Sequence, residues 1–127
     1  MRDLLAILAS GVWLFISGIV VYVGILPKWN KIHFGHISRA AKDFPIWAAV
    51  AEKVFQAVAL TLLVRWTNVS LLALLAIPLL LLCASYTSTY ADYKVAGRPI
   101  LILTLIDGVR IAGALIIAGL ILGHSLV

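Results

Sequence analysis

Four ionisable side chains stand inside long apolar runs: Glu52, Lys53, Asp107 and Arg110. A charge at the centre of a membrane helix costs about 2.5–3.5 kcal/mol on the insertion scale, so each needs a partner, water or a ligand. Glu52 and Asp107 are carboxylates able to exchange a proton or hold a cation. Arg110 is suited to binding an anion or tuning a neighbouring acid. Gln56 lies one helical turn beyond Glu52 and shares its face, whereas Lys53 points about 100° away, where it can snorkel to headgroups. Tyr22 ends the first apolar run, and Ser88 belongs to a polar stretch with Ser85, Thr87 and Thr89 at the end of the third. These seven residues are the candidates for binding or proton exchange. No nucleophile–base arrangement or cofactor motif is present, so no catalytic residue and no cofactor is expected. His33 and His36 have the i, i+3 spacing of two metal ligands, but no Cys or acidic residue nearby completes a set, and they read as solvated interfacial histidines.

The elements that must position these residues are transmembrane helices. Of 127 residues 64% are hydrophobic and 12% charged, against roughly 25% charged in soluble domains. Runs of about 20 apolar residues give four spans, residues 4–26, 46–64, 69–90 and 100–122. The first is too long for the apolar region of a cleaved signal peptide. Pro45 and Pro99 stand just before the second and fourth spans, where a missing N–H costs nothing. Pro27 closes the first, and Pro78 predicts a kink in the third. The lone Cys83, within an apolar run, reads as a packing residue.

Basic residues set the orientation. Lys28, Lys31, Arg39 and Lys42 in the connection 27–45, with Lys94 and Arg98 in 91–99, oppose only Arg2 and Arg65. This bias predicts both longer connections in the cytoplasm and both termini outside. The formal charge of +5 therefore reads as a topology signal and a contact for anionic headgroups; nucleic acid is not expected as a partner. Tyr86, Tyr90, Tyr93, Trp29 and Trp47 fall near the cytoplasmic interface, as aromatic belts do. The sequon Asn68-Val69-Ser70 lies almost in the membrane and reads as chance. In the connection 27–45, Phe34, Ile37, Ala41 and Phe44 recur on one helical face among basic residues, predicting a short amphipathic helix on the cytoplasmic leaflet.

Depth and direction place the charges. At 1.5 Å per residue, Glu52 lies about 10 Å inside Pro45 and Asp107 about 12 Å inside Pro99, both in the cytoplasmic half. Asp107 and Arg110 share a face with Ala114 and Ala118 that suits the bundle interior. Gly108, Ala112, Gly119 and Gly123 fall on a second face, roughly 145° away, that suits close helix packing or a homodimer contact. Two readings of the charges stay open. They sum to zero, so a self-satisfied cluster could fix helix register; equally, they could line a water-accessible pocket open to the cytoplasm.

The second and fourth spans align at their prolines. Glu52 follows Pro45 by seven residues and Asp107 follows Pro99 by eight, with Gln56 and Arg110 each at eleven. Two hairpins of the same orientation would form a parallel pseudo-repeat. Gly18-Ile19-Val20-Val21-Tyr22, Pro27-Lys28-Trp29 and Leu105-Ile106-Asp107-Gly108 give a layout that resembles a widespread bacterial family of small four-helix membrane proteins with no assigned function. The resemblance implies four helices, an embedded acid and a bacterial inner (cytoplasmic) membrane; the long basic connection and Arg110 depart from it. Three roles follow from these observations. The favoured one is an oligomeric transporter or channel subunit for a small solute or ion. The second is an accessory subunit, binding lipid or a membrane protein partner, whose charge cluster is structural. The third is a membrane-embedded enzyme acting on a lipid-like substrate.

Overall fold

The computed structural model describes residues 1–36 and 45–127, and the described residues are helical without strands. Four stretches are long and apolar enough to cross a membrane: Arg2–Ile25, Ile46–Arg65, Leu71–Asp92 and Gly97–Ile121. The first joins α1 (Arg2–Gly18) to a π-helical segment, Ile19–Ile25. A short α2 (Pro27–Phe34) follows, then α3 (Ile46–Arg65). The third stretch is broken into α4 (Leu71–Leu74) and α5 (Ala76–Asp92), and α6 (Gly97–Ile121) ends the bundle.

Local chemistry accounts for the breaks. Pro27 stands at the first position of α2, where its fixed φ and missing N–H cost nothing. Ser70 caps α4 by accepting from the Ala73 N–H at 3.4 Å. The α4–α5 interruption at Leu75 lies three residues before Pro78, whose ring crowds the carbonyl four residues earlier, that of Leu74. Pro99 falls within the first turn of α6, rather than before it, and is tolerated there because first-turn N–H groups have no helical acceptor. The amphipathic face expected through Ile37, Ala41 and Phe44 lies outside the described residues; the described helix in this connection is α2, ending at Phe34.

Alternating spans put both termini at one end, where Asp3 on α1 pairs with Arg65 on α3 at 3.6 Å. The basic connections are at the other end. Helix α1 packs on α3 and α6, and α5 packs on α6. The half near the termini is closed by an apolar core of Leu14, Leu60, Val64, Leu71, Leu74 and Leu115. Ala6, Ala57, Ala114 and Ala118 are wholly buried in the seams. In lipid the hydrophobic effect gives helices little reason to associate, so close approach through small side chains must supply the attraction. At the basic end, Phe34, Val95, Ile100 and Leu103 form a smaller core with Tyr22, Trp29 and Tyr86 against it. The outward faces remain apolar, with Phe55, Leu80, Leu81, Leu105 and Val109 exposed, as lipid contact requires.

Two glycines of the expected stripe, Gly108 and Gly119, face the third span. A Cβ on Gly108 would touch Leu79 of α5 at 3.5 Å, an ordinary contact, whereas one on Gly119 would collide with the Leu71 side chain of α4. Gly123 has nothing within 4 Å of its Cβ position among the described residues, and its φ is +81°. It terminates α6 in the left-handed conformation, with the His124 N–H donating back to the Gly119 carbonyl at 2.8 Å. Ala112 is half-buried. Two glycines outside the stripe take tight contacts between α1 and α6. A Cβ on Gly113 would lie 2.7 Å from the Trp13 indole, and one on Gly18 would lie 2.7 Å from Arg110 Nη2.

Candidate functional site

Arg110 is the centre of a polar network that joins three spans. Its Nη1 donates to Asp107 Oδ1 at 2.8 Å, one turn back on α6. On α1, its Nε donates to Ser17 Oγ at 2.9 Å, and its Nη2 donates to the Leu14 carbonyl at 2.6 Å. The guanidinium carbon also lies 5.6 Å from the centre of the Tyr22 ring, within cation–π range. The Arg110 backbone carbonyl accepts from Trp13 Nε1 at 2.7 Å. Arg110 is only 7% exposed, so these bonds satisfy a cation that would otherwise be prohibitive to bury.

Asp107 is held equally firmly. Tyr22 donates to Oδ1 at 2.6 Å, and Tyr86 of α5 donates to Oδ2. With Arg110 this makes three donors on one carboxylate whose side chain is 15% exposed. Hydrogen bonds to a carboxylate that also pairs with a guanidinium are short and strong. Asp107 is therefore fixed as the counter-ion of Arg110, bridging α1, α5 and α6.

Tyr22 reaches Asp107 from the π segment. There Leu26 N–H bonds the Val21 carbonyl, five residues back, at 2.8 Å. The wider turn changes the angular register of Tyr22 relative to Leu14 and Ser17, and π segments recur where a side chain must be re-aimed. Gly18 precedes it and leaves room for the guanidinium, which a larger residue would displace.

A second group lies on α3. Lys53 Nζ is 3.4 Å from Glu52 Oε1, and Gln56 Nε2 donates to the same oxygen at 3.3 Å. Glu52 is 57% exposed along its side chain, Lys53 only 19%. Among the described residues no hydrogen bond or ion pair joins the two groups, but both line one cavity of about 800 Å³. All four spans contribute to it, and α2 adds Asn30. Phe15, Ile19, Ile46, Leu82 and Leu103 supply apolar walls. Its residues lie towards the basic end of each span and reach mid-span at Leu14 and Ile111, where the apolar core begins.

Six of the seven candidate residues thus line one cavity: Tyr22, Glu52, Lys53, Gln56, Asp107 and Arg110. Ser88 does not join them; it is exposed and donates to Asp92 one turn on at 3.1 Å. Sequence reasoning missed Tyr86, Ser17 and Trp13. Tyr86 read as a belt aromatic, and only the Asp107 contact distinguishes it. The aligned acids of α3 and α6 have different environments, Glu52 exposed and Asp107 embedded, so the proline-anchored correspondence does not extend to packing. His33 lies against the Trp29 ring, centroids 4.8 Å apart, and a His36 ring nitrogen is 2.6 Å from the Lys94 carbonyl oxygen. Comparison of the chain with family models, with curated proteins and with solved structures gives no match.

Proposed function

We propose that this membrane protein binds a small solute in the cavity from the cytoplasmic side and works as a subunit of an oligomeric transporter. The observation that carries the reading is a polar-lined cavity placed towards one end of the bundle. Glu52, Lys53 and Gln56 line it beside the Asp107–Arg110 network, and a packed apolar core blocks the opposite half. A polar-lined cavity in one half with a packed apolar core in the other is compatible with one state of an alternating-access carrier. Six basic residues in the two longer connections, against two at the other end, support a cytoplasmic mouth and outside termini. Four helices are few for a complete pathway, which favours an assembly of copies.

The accessory-subunit reading has an observation of its own. The Asp107–Arg110 network is bonded internally to three spans, so it holds the bundle together whatever the cavity does. One experiment separates the cavity from plain packing. In a Cys83→Ser background, Gln56→Cys is expected to react with an impermeant maleimide in inside-out vesicles, while Leu60→Cys, buried one turn deeper, stays unreactive. An inert Gln56→Cys in both vesicle orientations would sink the cavity reading. For transport, proteoliposomes with an internal pH dye are given a potassium diffusion potential. Flux that equals that of protein-free liposomes would leave the accessory role.

A further inference from the structure

Resting on the solute-binding reading, we infer that the cavity takes an amphiphile with an anionic head, the head on Lys53 and the apolar body along Phe15, Ile19, Ile46 and Leu103.

Charge accounting leads there. Asp107 and Arg110 are committed to each other and to Tyr22, Tyr86, Ser17 and the Leu14 carbonyl, so neither is free to meet an incoming ion. On α3 the pairing is looser. The ammonium of Lys53 carries three donors, and its one ion-pair partner among the described residues is Glu52, at 3.4 Å. Glu52 also lines the cavity, with its side chain 57% accessible, so a ligand entering the cavity meets this pair directly. Lys53 itself is mostly buried and lines the cavity. Its neighbour Gln56 has given one amide N–H to Glu52 and keeps a second to offer. The spare donor capacity of Lys53 and Gln56 therefore faces the cavity, with Glu52 beside it as the competing acid.

The walls select the rest of the ligand. A small hydrated anion would lose water against apolar side chains without replacement, whereas an alkyl body gains by covering them. Of the two carboxylates lining the cavity, Asp107 is held by three donors and Glu52 is paired with Lys53, so a cation meets no free acid there. The same head chemistry could come from a free carboxylic acid or from an anionic phospholipid.

Thermal unfolding of the purified protein in a neutral maltoside detergent tests the inference, with millimolar decanoate as probe. Decanoate is expected to raise the unfolding midpoint, and acetate, decanol and decyltrimethylammonium to leave it unchanged. Lys53→Met should raise the half-saturating decanoate concentration about tenfold, the scale of one charge-assisted hydrogen bond, and Lys53→Arg should largely preserve it. Dioctanoyl phosphatidylglycerol forms a second arm. A Lys53-dependent shift with decanoate alone identifies a free acid as the source, and one with the phospholipid alone identifies a lipid headgroup. If Lys53→Met does not fold, Glu52→Gln carries the test: removing the competing carboxylate should lower the half-saturating concentration, and no change overturns the inference. An equal shift with the cationic amphiphile, or a decanoate shift independent of Lys53, also overturns it. If Gln56→Cys still labels in that event, the cavity stands and only the ligand class has failed; if the label fails too, the cavity reading has failed with it.

Discussion

Replacing Asp107 by Asn keeps the shape of the side chain and removes its charge. In the native protein Oδ1 accepts from Tyr22 and Arg110 and Oδ2 accepts from Tyr86. The Asn oxygen can keep two of these donors as weaker, neutral bonds. Its amide group then faces the remaining partner, and where that is Tyr86 the hydroxyl must turn to accept instead of donate. The larger effect falls on Arg110, which is 7% exposed and becomes a buried cation without a counter-ion. Breaking a buried pair on one side costs about 3–5 kcal/mol. Adding Arg110→Leu removes the stranded charge. It leaves Ser17 still donating to the Leu14 carbonyl at 3.2 Å, so that segment of α1 is not orphaned. The double variant is therefore expected to regain at least about half of the loss. Reversible unfolding in mixed micelles, followed by circular dichroism, measures all three differences and the coupling energy between the two sites. Asp107→Asn within about 0.5 kcal/mol of the native protein, a range typical of unconstrained surface sites, would refute the network as a structural brace. So would a double variant less stable than either single one.

Gly119→Leu should destabilise the bundle, because its side chain must displace Leu71 from the apolar core, by about 1–3 kcal/mol as overpacking usually costs. Leu120→Ala, on a residue 60% exposed, should change the same unfolding midpoint far less, and a reversed order would show that α4 does not pack on α6. Orientation is checked by single cysteines in a Cys83→Ser background. Ser125→Cys should react with an impermeant reagent added outside intact cells and Ala96→Cys only after permeabilisation; the opposite pattern would put the cavity mouth outside.

The sequence alone settles the class of protein and its four spans, because burial in lipid demands about 20 apolar residues per crossing and satisfied backbone groups throughout. Both are local properties, readable from composition and from the prolines and glycines that interrupt helices. Six of the cavity residues are legible for the same reason: an ionisable or hydrogen-bonding group in an apolar run is conspicuous wherever it points. Pairing is another matter. That Asp107 and Arg110 bond each other follows from i, i+3 spacing. That Tyr86 and Ser17 complete them depends on how α5 and α1 rotate about α6, which no single span encodes. The contrast between embedded Asp107 and exposed Glu52 arises in the same way, from the central position of α6 in the bundle. Gly113 and Gly18 join Gly119 in tight contact because the Trp13 indole and the Arg110 guanidinium are large groups that meet them across the α1–α6 seam, and tight contact requires a partner as well as a gap. Gly123 shows the converse: a small residue at a helix end satisfies backbone geometry there and needs no neighbour at all.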